Sequence, residues 1–341
     1  MWNPKEADGE RAVPTDWNKK GAMGSLILLS LFGEDFSMRA IIDIGTNSTR
    51  LLIAEKNEKE EWKVLKKDLC STRLGEGMTD KAFIGVGPQE RTLQAVEKFK
   101  AAAEKEGCQE IWAFGTSIVR DAVNGEDFAD AVREKTGISV RILSGREEAY
   151  YSYIGAAGTP GVVTSVVDIG GGSTEFCMGF GVDIGMRYSC PLGCVRCSKQ
   201  FDTTTARGLG ELKKHCFQLF RDTGMMEHVK NVKRWIAVGG TATSLAAMLQ
   251  ELSVYDSSKV QGYIIHAADA HRMLRKLQGM SYDERCHVKG LMPERADIIV
   301  AGLDILDSLM EYFALEEIMV SDRDLSEGLL DFDVLHAPAE P

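Results

Sequence analysis

Ile42-Asp43-Ile44-Gly45-Thr46-Asn47-Ser48-Thr49-Arg50 and Val167-Asp168-Ile169-Gly170-Gly171-Gly172-Ser173-Thr174-Glu175 are two versions of one short text. Asp, Ile, Gly, Ser and Thr recur at the same offsets, and each stretch lies between two apolar runs. This is an internal duplication of a strand–turn–strand unit. A turn of Gly, Ser, Thr and Asn aims several backbone N–H groups into one concavity, which suits phosphate oxygens. Glycine adds the φ freedom and the close backbone approach that an anion cradle needs. Gly45, Thr46, Asn47 and Ser48 in the first copy, and Gly170, Gly171, Gly172 and Ser173 in the second, are therefore expected to bind phosphate. Each copy opens with a carboxylate, Asp43 or Asp168. Oxygen ligands at the mouth of a phosphate cradle suit Mg2+, with Mn2+ as the alternative; either Asp could instead cap its own turn.

Working outward from the first copy, Arg39–Glu55 reads as a hairpin and Trp62–Leu69 as a third strand. Helices are expected at Glu90–Lys105, Phe128–Lys135 and Glu147–Ala157 from their apolar spacing, with short strands at Ile111–Phe114 and Ser139–Leu143. From the second copy, Val162–Asp168 and Glu175–Gly179 are strands. Trp235–Val238 is another, leading into a third turn, Gly239-Gly240-Thr241-Ala242-Thr243, and a helix over Ser244–Glu251. Gly240 and Thr241 join the expected phosphate-binding set. Helices then dominate, over His266–Leu277, Pro293–Phe313 and Leu325–Leu330. The fold class is α/β with duplicated lobes. Residues 38–158 form the first lobe and 159–335 the second, joined near Ala157–Gly161, and the last helix is expected to fold back on the first lobe. Residues 1–37 carry no periodicity and read as a poorly ordered extension.

Composition narrows the function. The 341 residues have a formal net charge of -11, which disfavours nucleic acid and anionic membranes as partners. No stretch approaches the roughly 18–20 apolar residues of a membrane span. The eight cysteines lack a disulfide rhythm and read as reduced thiols of a cytoplasmic protein. Cys190, Cys194 and Cys197 cluster, but a zinc site would need His215 or Cys216 as a fourth ligand, and free thiols beside a phosphate site are the better reading. Neither G-x-x-x-x-G-K-[ST] nor G-x-G-x-x-G occurs, which argues against a P-loop ATPase and a Rossmann dehydrogenase.

The two Asp-Ile-Gly turns and the Gly-Gly-Thr turn resemble the superfamily of actin, sugar kinases and heat-shock ATPases. More specifically, residues 38–330 resemble the exopolyphosphatase / guanosine pentaphosphate phosphatase (Ppx/GppA) family. Besides those turns, the matching segments are Gly115–Ala122, Leu143–Ala149, Pro191–Arg196 and Pro293–Asp297. The resemblance implies a two-lobed actin-like fold and Mg2+-dependent release of terminal orthophosphate from inorganic polyphosphate or guanosine pentaphosphate. It implies Glu148 as general base and Glu175 as an aid to metal or water placement. It also implies Asp43 and Asp168 as metal ligands and Arg120 as a holder of the attacked phosphate. A homodimer is an expectation of the same kind. No His-Asp dipeptide occurs, so the chain resembles the short form without the C-terminal HD domain. The closing segment departs from the S-D-x-G-L-R-E-G pattern: Asp324 stands for glycine and Ser326 for arginine, one cation fewer and one anion more at a cleft edge.

Two other functions fit the same scaffold. A small-molecule kinase would need a second substrate pocket, for which the chain is short. A non-catalytic nucleotide-dependent scaffold would bind without turnover. Without the resemblance, Glu147 and Glu148 would read as a solvated first turn favoured by the helix dipole. For a long polyanion, Lys199, Arg207, Lys213 and Lys214 are candidates for a basic track.

Overall fold

The structure is a computed structural model, and it describes residues 38–77, 83–158 and 161–330. The expectation for residues 1–37 lies outside the described residues. The chain folds as β1 (Met38–Ile44), β2 (Thr49–Lys56), β3 (Trp62–Cys70), α1 (Val86–Lys105), β4 (Glu110–Gly115), α2 (Ser117–Asp121), α3 (Gly125–Thr136), β5 (Val140–Ile142) and α4 (Gly145–Ala157). The pattern then restarts with β6 (Val163–Ile169), β7 (Thr174–Phe180), β8 (Asp183–Cys190), α5 (Cys194–Gln200), α6 (Ala206–Asp222), β9 (Arg234–Val238) and α7 (Gly239–Leu249). It closes with α8 (Ser257–Val260), β10 (Ile264–His266), α9 (Ala267–Gln278), α10 (Tyr282–Cys286), α11 (Ile299–Tyr312), β11 (Glu317–Val320) and α12 (Leu325–Leu330).

Two sheets result, ordered β3-β2-β1-β4-β5 and β10-β11-β9-β6-β7-β8. In both, the duplicated hairpin supplies antiparallel strands, and the next strand runs parallel to its first arm, β4 beside β1 and β9 beside β6. The repeat extends to register: Asp43 faces Arg50 across the first hairpin, and Asp168 faces Glu175 across the second. It extends to the turns as well, where Gly45 N–H donates to Ser48 O and Gly170 N–H to Ser173 O, each at 3.0 Å.

β1 and β6 are apolar because both of their faces are covered. On the first sheet, Ile42 and Ile44 pack against Val96 and Phe99 of α1 and Phe128 and Val132 of α3. Ile41, on the opposite face, packs with Leu325, Leu329 and Leu330 of α12. On the second sheet, Val167 and Ile169 join the large core under α6, α7, α9 and α11, while Val166 meets Ala149 and Tyr153 of α4. The two inner helices are thus exchanged: α4 leaves the first sheet and covers the second, and α12 leaves the second and covers the first. They cross at Gly155 and Gly328, where an added Cβ would run into the Asp324 and Tyr151 carbonyls respectively. No helix among the described residues is long and apolar enough to cross a membrane.

Several local readings change. The Gly-Gly-Thr segment is not a free turn but the first turn of α7, entered through Gly239 at φ 84°. The helix expected from Pro293 is a short 3-10 turn over Pro293–Arg295, and α11 starts only at Ile299. The segment after Leu277 is not wholly helical, because β11 inserts beside β9 and carries β10 on its edge.

Candidate active site

The two duplicated turns face each other across a cavity of about 80 Å3 between the sheets. Their closeness is enforced by missing side chains: a Cβ on Gly171 would lie 2.9 Å from Thr46 Cβ, and one on Gly172 would lie 2.9 Å from Thr46 Oγ1. Among the expected phosphate binders, Gly45, Thr46, Asn47, Ser48, Gly170, Gly171, Gly172, Ser173 and Gly240 all line this cavity. Thr241 does not; its side chain points into the second lobe, bonded to the Cys194 thiol and against Gly302. Asp43, Asp168, Glu148 and Glu175 also line it.

The two adjacent glutamates take different roles. Glu147 forms a capping box with Ser144 at the start of α4 and pairs with Arg141 at 2.7 Å. Glu148, one residue on, is 6% exposed and turned into the cavity. The Ser144 cap therefore fixes the helix start so that Glu148 points inward. Arg120 does not line the cavity. Its guanidinium pairs with the Glu148 carboxylate and with Asp121 at 3.3 Å, and donates to Leu143 O at 3.0 Å. Glu175 accepts from Ser189 Oγ at 2.7 Å, and Asp168 from Ser152 Oγ at 3.0 Å.

Burial raises the pKa of all four carboxyls. Asp43 rises to about 7, opposed by Arg50 and reinforced by Asp324 and Asp168. Asp168 rises to about 6 through burial and Asp324. Glu175 rises to about 7 through burial and Asp168. Glu148 is pushed well above the usual range by burial and by Glu175, against the pull of Arg120. Groups with folded pKa values above their unfolded ones bind extra protons in the folded state between about pH 4 and pH 7. Their stabilising effect is complete below the unfolded values and is lost as pH rises through the folded ones. Metal-free protein should therefore melt at a higher temperature at pH 5 than at pH 7 in calorimetry. Added Mg2+, which favours the ionised carboxylates, should raise the melting temperature more at pH 7 than at pH 5. A melting temperature flat across this range would remove these carboxyls from the stability balance.

The donor set fits a divalent cation that arrives with phosphate. Asp43 Oδ1 is buried without a hydrogen-bond partner, an orphan that a cation or its water would satisfy. Among the described residues no three His, Cys, Asp or Glu side chains form a closed metal cage. Mg2+ does not require one, since it keeps several waters and commonly uses one or two carboxylates plus substrate phosphates.

Several other residues wall the cavity, among them Cys194, one of the three clustered cysteines expected beside a phosphate site. Thr116 and Ser117 add buried hydroxyls, Arg50 and Arg295 add guanidiniums, and Cys194 contributes a thiol at the floor. The ionisable neighbours of Arg295 are Cys194, Arg50 and Tyr255, with no carboxylate among them. The eight cysteines are free, and Cys190, Cys194, Cys197 and Cys216 are buried. The basic track is interrupted: Arg207 pairs with Glu211 at 2.9 Å, and Lys213 pairs with Glu311. Lys199 borders a neighbouring recess beside Arg73.

The family model of the Ppx/GppA phosphatases matches residues 52–337. This chain belongs to the Ppx/GppA phosphatase family. It is 31% identical over 321 residues to a "bifunctional 3-dehydroquinate synthase/phosphatase" of Fusobacterium nucleatum, covering 86% of this chain but only 46% of that protein. "Exopolyphosphatase 2" of Mycobacterium tuberculosis is 27% identical over 308 residues, covering 85% of this chain and 96% of its own. The crystal structure of the Aquifex aeolicus Ppx/GppA family member superposes with a TM-score of 0.73 at 27% identity, covering 89% of this chain and all of that one. A structure described as an exopolyphosphatase-like protein reaches 0.80 at 25% identity, over 86% and 97% of the two chains. The two-lobed α/β architecture is the fold of these Ppx/GppA structures.

Proposed function

We propose that this Ppx/GppA member is a phosphoanhydride hydrolase that releases terminal orthophosphate from inorganic polyphosphate or from guanosine pentaphosphate. The single observation that carries this reading is the buried Glu148 carboxyl facing two phosphate turns across one cavity. The turn amides and the hydroxyls of Thr46, Ser48 and Ser173 would hold oxygens of the last two phosphates. Asp43 and Asp168 would hold Mg2+, which when bound supplies charge neutralisation on the phosphate oxygens. Glu148, oriented by Arg120, takes a proton from water as the water oxygen bonds to the terminal phosphorus and the bridging P–O bond breaks. Glu175, fixed by Ser189, orients that water or the metal's own waters. Little covalent chemistry is asked of the protein, and positioning with electrostatics carries the rate. The fully free thiols support a cytoplasmic location.

The test is colorimetric phosphate release from long-chain polyphosphate and from guanosine pentaphosphate, with Mg2+ and with chelator. Release from at least one substrate, abolished by chelation, is expected. No release from either at saturating Mg2+ would overturn the reading.

A further inference from the structure

The Asp324 carboxylate is partly buried at the entrance to α12, and its two oxygens do different work. Oδ1 accepts from Ser326 N–H at 2.9 Å, capping the helix, and Oδ2 pairs with the Arg50 guanidinium. Arg50 leaves the first phosphate turn on β2 and lines the cavity. A second recess of about 510 Å3 adjoins this cavity, and the two share Arg50, Gly239, Gly240, Arg295 and Asp324 as walls. The Arg50–Asp324 pair therefore stands at the passage between them. Beyond it, Lys67 is also engaged, with Glu327 at 2.7 Å and Asp322 at 3.3 Å. A phosphate chain running from the turns into the second recess thus meets cations already matched by carboxylates, Arg295 excepted. Burial would raise the Asp324 pKa, but Arg50, Lys67 and the Ser326 amide outweigh it and hold it below the usual range, so the carboxylate is ionised at neutral pH.

We infer that Asp324 is a specificity-determining residue: by holding Arg50 it withdraws a cation from the passage and puts an anion there, favouring short phosphoanhydrides over long inorganic polyphosphate. The physical device is a like charge set against the unwanted ligand. A short chain ends within the turns and its bound divalent cation, whereas a long one must lie along Asp324. The inference rests on the hydrolytic reading above and names the chain class within it.

The test compares wild type, Asp324→Asn and Glu327→Gln on tripolyphosphate and on polyphosphate hundreds of units long. Asparagine keeps the shape and the capping oxygen but releases Arg50. One freed charge-assisted contact should lower the long-chain KM by at least about tenfold. The tripolyphosphate KM should change by less than the long-chain KM, because Asp324 and Arg50 also wall the cavity but only the long chain runs past them. The long-chain KM should also become more sensitive to salt, because one more cation holds the polyanion. Glu327→Gln leaves the Arg50 pair in place and frees only Lys67, farther along the second recess, so its gain for the long chain should be smaller than that of Asp324→Asn. An Asp324→Asn protein whose ratio is unchanged overturns the inference, and so does a Glu327→Gln protein that reproduces the gain. If Asp324→Asn does not fold, Asp324→Ser replaces it, serine being a strong helix cap. Calorimetric binding of the two chains gives the same comparison without turnover. Binding without phosphate release would therefore sink only the hydrolytic reading, and the binding ratio would still decide the role of Asp324.

Discussion

Glu148→Gln should release phosphate at no more than about one hundredth of the wild-type rate, the lower end of what general-base catalysis contributes. The amide matches the carboxylate in shape and keeps an oxygen for Arg120, so the cavity walls stay in place. What it loses is the ability to accept a proton from water. The effect should fall on kcat with little change in KM, because the turns and not Glu148 hold the phosphates. Phosphate release under saturating Mg2+ measures it, with circular dichroism to show that α4 is intact. Equal kcat values would take Glu148 out of the chemistry. Glu147→Gln is the matched control: it loosens the α4 cap but has no part in the cavity, and it should retain turnover within a few-fold.

A second large effect is expected at the helix crossing. Gly155→Val should cost about 3 kcal/mol of stability or more, the upper part of the range for overpacked interiors. The obstacle is not a side chain that can rotate away but the Asp324 carbonyl, with the Gly328 amide beside it. Relief requires α4 and α12 to separate, and each covers the other half's sheet, so both cores open. A denaturant melt would register the loss as a lower midpoint, and an unchanged midpoint would mean that the crossing is not tightly packed. Turnover should fall as well, because the first turn of α4 carries Glu148 and the entrance to α12 carries Asp324.

The parts of this molecule legible in the sequence are those whose signal is local. The duplicated hairpins announce themselves because turn formation and anion binding demand the same few residue types in a fixed order. The third turn was misread because Gly239-Gly240 serves a helix start as readily as a loop, and only the strand-to-helix path of β9 into α7 decides between them. The helix α6 was passed over, although Leu209, Leu212, Cys216 and Phe220 fall at helical spacing and form its buried face. The short strands β10 and β11 have too few residues to show a period. Side-chain direction lay further from reach. Nothing local separates Glu147 from Glu148, and the capping box that turns one outward and the other inward is clear only once Ser144 is known to be the cap. Arg295 and Asp324 meet Arg50 at the cavity from more than two hundred residues further along the chain, and the pairing of Arg120 with Glu148 shows in no spacing.

The matched registers of the two hairpins carry one more consequence. Two near-equivalent cradles facing each other would offer the terminal phosphate of a chain two places to sit. The substitution of Glu175 for Arg50 at equivalent points breaks that tie. One side of the gap becomes acidic around Glu148 and the other is tied to Asp324. Which cradle would receive the terminal phosphate is set by this departure from the repeat.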